Sequence, residues 1–178
     1  ALGVWMFASG LPKFPGDYWI EKARVALHYR DFPHAVESAN QAQRFESRNP
    51  VIHYQLAGGY IGLSRAEQSP IARQMLLQNA VAACQRALAL FPYDERIYVR
   101  LAETLDSLHR FREGGEAYQK AIQLDPNLGA LHAFYARHLA RVGRLDDAAR
   151  ELRKAGELRA QKNPGVQGVP LDEPADEK

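Results

Sequence analysis

The phrase Ala87-x-x-Leu90-x-Pro92 returns thirty-four residues later as Ala121-x-x-Leu124-x-Pro126. Residues 87–126 hold two amphipathic segments between these phrases, separated by a break at His109-Arg110. A period of this length carried by two helices marks a stacked helical repeat, in which each unit buries its apolar face only against its neighbours. Most of such a chain is scaffold, so its sequence constrains shape far more tightly than ligand.

The period runs in both directions. Trp19 to His53, Ala23 to Ala57 and Ala26 to Tyr60 are each thirty-four residues, as are Ala102 to Ala136, Leu105 to Leu139, Phe111 to Leu145, Gly114 to Ala148 and Tyr118 to Leu152. Between these halves the interval changes: Leu56, Ala57 and Tyr60 reach Leu101, Ala102 and Leu105 only after forty-five. Ala35 and Ala42 reach Ala80 and Ala87 after the same forty-five, so eleven extra residues lie within 61–79. That is close to three turns at about 3.6 residues each, enough to lengthen a helix without rotating its buried face. Ser69-Pro70 supplies an N-cap and a first-turn proline. The spacing therefore predicts one helix of roughly 20 residues, starting at Ser69-Pro70 and running unbroken into Ala87-Leu88. A loop over Gly62–Gln68 precedes it, and Pro70, Ile71, Arg73, Gln74, Met75 and Leu77 form a helix start projecting beyond its neighbour.

The expected fold is all-α, four antiparallel helix pairs over residues 16–159, with repeats at about 16–49, 50–94, 95–128 and 129–159 and one lengthened helix in the second pair. Residues 1–15 are read as an apolar arm and linker. The turn-rich stretch Gly10–Gly16 leads to a helix starting at Tyr18 and capped by Asp17. Asp31 and Pro33 start the next helix in the same way. Residues 160–178 are Pro- and Gly-rich, aperiodic and acidic at the end, and are expected to be a disordered tail. The run Ala1–Ala8 is too short for a bilayer, which needs about 20 apolar residues, and it lacks the basic start of a signal peptide. It is either an arm packing on the first helices or on a neighbouring molecule, or the stump of a membrane helix lying upstream of Ala1.

Charge narrows the function classes. The net charge is +2, from 23 basic and 21 acidic side chains. Without residues 160–178, which hold two basic and four acidic groups, 21 basic face 17 acidic, or +4. That is no nucleic-acid stripe. The single cysteine excludes an internal disulfide and a multi-cysteine zinc site. Cys84 sits among Ala80, Val81, Ala87 and Leu88 and reads as a buried free thiol rather than a nucleophile. His28 and His34, like His132 and His138, are six apart, on different sides of a helix, and no His-x₃-His or HExxH spacing occurs. Gly58-Gly59 and Gly114-Gly115 lie within helices and read as packing glycines, and Glu113 and Glu116 as charges on an exposed face. No cofactor site and no catalytic group emerges.

The arrangement resembles the tetratricopeptide repeat (TPR) family. In residues 95–128, Tyr98, Leu101-Ala102, Leu105, Phe111, Gly114, Tyr118, Ala121 and Pro126 stand at the family's positions. Residues 129–159 follow, with His132 in the aromatic slot. Residues 16–49 and 50–94 are degenerate, with Lys22 for the usual Leu and Cys84 in an aromatic slot. The resemblance covers about four-fifths of the chain. It implies a right-handed superhelix whose first helices line a concave groove, and a non-catalytic scaffold for a protein or peptide partner. The groove positions it implies are Arg24, His28, Tyr54, Arg100, Glu103, Arg137 and Arg141, a mildly basic set suited to an acidic or polar extended segment. Reversing the charge of Arg137 and Arg141 together is expected to weaken partner binding without unfolding. The subclass that clamps chaperone C-termini uses Lys and Asn where Val99, Glu103, Ala133 and Arg137 stand here, so that partner does not fit. A weaker similarity is to the repeat tails of bacterial membrane proteins of the O-antigen ligase/polymerase type. It is carried by Pro92-Tyr93-Asp94, by Leu105-Asp106-Ser107-Leu108 and by the apolar start. That similarity implies a tethering or regulatory appendage attached to a membrane through sequence upstream of Ala1.

Overall fold

In the computed structural model, which describes residues 15–162, three helices begin alike. A side-chain oxygen accepts from a backbone N–H of the first turn, and a proline follows within two residues. Asp31 accepts from His34 N (3.3 Å), Asn49 from Val51 N (3.0 Å) and Ser69 from Ala72 N (3.4 Å). Asp94 caps a fourth through Arg96 N (3.0 Å). Proline is tolerated there because the first N–H groups of a helix have no intrahelical acceptor. The described residues form α1 (Pro15–His28), α2 (Phe32–Phe45), α3 (Pro50–Ala66), α4 (Pro70–Leu90), α5 (Glu95–Ser107), α6 (Phe111–Leu124), α7 (Gly129–Arg141) and α8 (Leu145–Lys162).

Three of the four pairs turn at the same place in the repeat. Arg30, His109 and Gly143 carry φ of 60°, 59° and 83°. Each is followed by a residue whose N–H reaches back five positions: Asp31 to Ala26 O (2.8 Å), Arg110 to Leu105 O (2.9 Å) and Arg144 to Leu139 O (2.8 Å). This is the left-handed helix stop that satisfies otherwise free carbonyls. The corresponding position of the second pair is Ser64, thirty-four residues after Arg30 and forty-five before His109, and there the helix simply continues.

That continuation corrects one expectation. The eleven inserted residues do not all fall on α4. It has 21 residues where α6 has 14, but α3 also has 17 where α5 has 13. Residues 62–66 belong to α3, and the link to α4 is only Glu67–Ser69. Gly62, a loop signal in the sequence, faces the Phe32 ring so closely that a Cβ would lie 2.1 Å from Cδ1. It is a packing glycine. The start of α4 thus runs beside the extended end of α3 rather than alone, with Arg73 donating to Glu67 O at 2.7 Å.

Smaller corrections concern the ends. α1 begins at Pro15, so Asp17 sits in its first turn and not at its cap. α8 continues past Arg159 to Lys162. The arm over residues 1–14 and the tail beyond 162 lie outside the described residues. No described helix is long and apolar enough to cross a membrane.

Within each pair the helices meet through small residues. Ala23, Ala39, Ala42, Ala57, Ala80, Ala87 and Ala102 are completely buried. The first helices of successive pairs (α1, α3, α5, α7) touch one another, whereas among the described residues the second helices do not. The layer of first helices is therefore the inner one. The aromatic slot that recurs in that layer is filled by Trp19, His53, Tyr98 and His132. Both histidines make the same bond to the preceding connection: His53 Nε2 lies 3.3 Å from Ser47 O and His132 Nε2 3.0 Å from Pro126 O. On α8, Leu152 is 56% exposed where its counterpart Tyr118 on α6 is buried, because no described element packs against that outer face.

Candidate functional site

Two clefts open on the inner layer, one at each end of α5. The first, about 530 Å³, is walled by Ile61, Ser64 and Arg65 of α3, Arg73 and Leu77 of α4, Glu103, Thr104 and Ser107 of α5, Tyr118 of α6, and Arg137 and Arg141 of α7. The second, about 520 Å³, lies between α1, α3 and the N-terminal half of α5, with Leu27, Val51, Phe91 and Ile97 among its walls.

The first cleft is dominated by guanidinium groups. Arg137 donates to Glu103 at 2.6 Å across two repeats, the same register position carrying opposite charge thirty-four residues apart. Arg141 stands 3.6 Å from Asp106. Asp106 is itself buried and accepts from His138 Nδ1 at 2.8 Å, with Tyr135 stacked on the imidazole. Gly114 leaves room for that carboxylate, since a Cβ there would lie 2.7 Å from Asp106 Oδ1. Arg73 is held by a backbone carbonyl, and Arg65 has no ion-pair partner among the described residues. Four arginines thus face one carboxylate on the rim, Glu103, and one behind it, Asp106. Burial, with the Asp106 and Glu103 charges nearby, pushes the Tyr118 phenol up, so it faces the cleft as a neutral ring.

The second cleft is apolar with a charged rim. The Arg100 guanidinium lies over Tyr54, its Cζ 3.6 Å from the ring centroid, and donates to Tyr54 O at 2.7 Å. Arg96 grips Asp94 through two bonds of 2.9 and 2.6 Å, and that hydrogen bonding holds the Asp94 carboxyl below the usual carboxylate range. Arg24 is paired with Glu21 on its own helix. Gln55, among the residues that line the cleft, is buried; its Nε2 donates to Ile20 O at 3.0 Å, and its Oε1, itself buried, has no partner among the described residues.

The seven groove positions implied by the resemblance divide between these clefts. Glu103, Arg137 and Arg141 line the first; Arg24, Tyr54 and Arg100 line the second; His28, exposed and edge-on to Tyr29, lines neither. Of the helix-start residues, Arg73 and Leu77 face the first cleft, whereas Pro70, Gln74, Ile71 and Met75 are exposed, the last two at 75% and 59%. Two features read separately in the sequence therefore share one site. Arg65, Asp106, Gln55 and Ile97 had no role in the sequence reading of the groove. Gln55 stands forty-five residues before Arg100, a groove position, so the period itself carried a signal for it, whereas Arg65 stands forty-five before Arg110, at a turn position where α3 alone continues.

Other groups with latent chemistry are occupied. His34 binds Asp31 (2.7 Å), and His132 Nδ1 binds Glu151 (2.6 Å). Cys84 is fully buried, and burial pushes its thiol up to about 12, so it stays protonated and unreactive. Glu113 and Glu116 pair with Arg110 and Arg112.

Solved structures share this architecture. A crystal structure of MamA matches with a TM-score of 0.72 over 92% of this chain and 88% of that one, at 20% identity. TTC0263, a TPR protein of Thermus thermophilus, matches with a TM-score of 0.75 over 92% and 80%, at 17% identity. The TPR domain of Arabidopsis OM64 matches with a TM-score of 0.62 over 71% and 96%, at 18% identity. The fold is a TPR solenoid. No protein-family model and no curated protein matches the sequence. In this TPR solenoid the inner layer is the concave face, and both clefts open on it.

Proposed function

We propose that the chain is a non-catalytic interaction scaffold that holds an extended, acidic segment of a partner protein on its concave face. The observation that carries this reading is the charge imbalance of the first cleft. Among the described residues, Arg65 and Arg73 have no carboxylate partner, Arg141 has only a long contact to an aspartate already bound by His138, and Arg137 alone of the four has a short rim pair. Guanidinium groups held around an open cleft match carboxylates in geometry and charge. The TPR fold, common among interaction domains, supports the class of function.

The alternative, a tethering appendage of a membrane glycan ligase or polymerase, rests on residues before Pro15 and on two short phrases. Those phrases have local structural work: Asp94 caps α5, and Asp106 binds His138. The scaffold reading needs neither explanation, so we place it first.

A fluorescein-labelled peptide of alternating Glu and Ser, with a Lys/Ser peptide as control, tests it by anisotropy. The Glu probe is expected to bind, to weaken with added salt, and to lose about tenfold in affinity on Arg65→Glu. Arg65 is the better choice than Arg141, because Arg141→Glu would set a second carboxylate against buried Asp106. Equal binding of the two peptides, or indifference to Arg65→Glu, would overturn the proposal.

A further inference from the structure

We infer that the chain's own acidic segment, residues 172–177, occupies the arginine cleft when no partner is bound and is displaced when the partner's acidic segment enters. This rests on the scaffold reading and adds a regulator of the same site, supplied in cis.

The donors of the cleft define what it takes. Arg65, Arg73, Arg137 and Arg141 are all exposed, and among the described residues only Arg137 of the four has a short carboxylate contact. The hydroxyls on the same walls have already spent their protons on their own helices. Ser64 donates to Ile61 O at 2.8 Å, Thr104 to Arg100 O at 2.7 Å and Ser107 to Glu103 O at 2.9 Å. An incoming chain therefore meets chiefly guanidinium N–H groups, which match carboxylates in charge and geometry.

Charge then selects between the two stretches that lie outside the described residues. Residues 1–14 hold no acidic side chain and one basic one, Lys13, so they do not complement the cleft. Residues 163–178 hold Asp172, Glu173, Asp176 and Glu177 against a single Lys178. These are two adjacent carboxylate pairs separated by Pro174-Ala175, the acidic segment that the arginines lack.

Reach follows from α7 and α8. α8 starts next to the arginine end of α7 and runs back along it, passing Gly129, where an added Cβ would lie 2.7 Å from Ala155 O, and ending at Lys162. Its length, at about 1.5 Å per residue, puts Lys162 roughly 26 Å from the Arg141 end, and crossing the body of α7 adds about 10–12 Å. Asp172 to Glu177 stand ten to fifteen residues beyond Lys162. An extended chain spans at most about 33–50 Å in that number of residues, so Asp176 and Glu177 reach the cleft and Asp172 and Glu173 its near rim. A ligand tethered at this range acts at an effective concentration on the order of 1 mM, so a contact far weaker than the partner's still competes.

A nitroxide on Ala175→Cys, in the full chain with isotope-labelled methyl groups, reads the contact directly; buried Cys84 stays unlabelled. The methyl resonances of Ile61 and Leu77, both on the cleft walls, are expected to broaden, and to recover in about 0.5 M salt or on Arg65→Glu. In the full chain without the nitroxide, Asp172→Asn, Glu173→Gln, Asp176→Asn and Glu177→Gln together should raise affinity for the Glu/Ser peptide about fivefold. Unbroadened Ile61 and Leu77 methyls overturn the inference. So does equal broadening when nitroxide and isotope sit on different molecules, which would make a second copy the occupant. Salt-sensitive peptide binding that is the same with and without the four carboxylates sinks the tail's role and leaves the scaffold standing. Broadened methyls with no peptide binding, even to the four-fold variant, do the reverse.

Discussion

His53 occupies the slot that Trp19 and Tyr98 fill in neighbouring repeats, and it is a compromise there. Its Nε2 has a carbonyl partner, but Nδ1 is buried without one among the described residues. Burial holds its pKa below the ordinary 6.5. A histidine whose folded pKa is depressed opposes folding only where the unfolded chain can take up the proton. Above about pH 6.5 there is no penalty; as pH falls below it, the unfolded state gains a proton the folded state refuses, and stability declines until the folded pKa is reached. We therefore expect Tm to fall as pH drops below about 6.5, and His53→Phe to flatten that part of the profile. An unchanged slope in the variant would show that other groups carry it. The carboxylates of Asp31, Asp94, Glu113 and Asp147 are shifted downward and act at lower pH, so the two effects separate.

At the scale of the helix, the pairs differ in how they stop. Gly143 suits the left-handed position; Arg30 and His109 adopt it against the preference of their side chains. Arg30 is exposed, so Arg30→Gly removes little contact. It should raise unfolding free energy by about 0.5–1 kcal/mol in urea titration. A loss of stability instead would mean that the Arg30 side chain matters more than its backbone. The break at His109-Arg110 was legible from the sequence, but the left-handed conformation was not: of the three residues only Gly143 is of a type that favours it, and Arg30 and His109 carry no local signal for it. The same lack of local signal explains the misplaced loop at 62–68. Gly62 carries the same code whether it breaks a helix or admits the Phe32 ring, and nothing local distinguishes the two.

Across the whole molecule, stability depends on the joins between repeats, since each pair touches only its neighbours. Asp106 makes one such join, tying α5 to α7 through His138 and standing next to Arg141 of the arginine cleft. Both members of the Asp106–His138 pair are nearly inaccessible, at 3% and 5% exposure. Breaking a buried pair from one side costs about 3–5 kcal/mol. Asp106→Ala should therefore loosen α7 and α8 first. In hydrogen exchange, their amides would lose protection while those of α3 and α4 keep it; uniform loss along the chain would argue that the repeats do not uncouple there.

Helix count, order, phase and the size of the insertion were legible from residue types alone, because a buried alanine stripe must recur at the repeat length whatever the partner. Ala23, Ala57, Ala102 and Ala136 report that period directly. So did the caps at Asp31 and Ser69, whose bonds are local. What only the tertiary structure decided is where distant side chains meet: that Arg65 and Arg73 face Arg137 and Arg141 in one cleft, that the insertion is shared between α3 and α4, and that Gln55 is left with an empty acceptor. The period sets which face of each helix is buried. The identity of the neighbours on that face depends on how far each helix runs past the next, and no spacing along the chain encodes that distance.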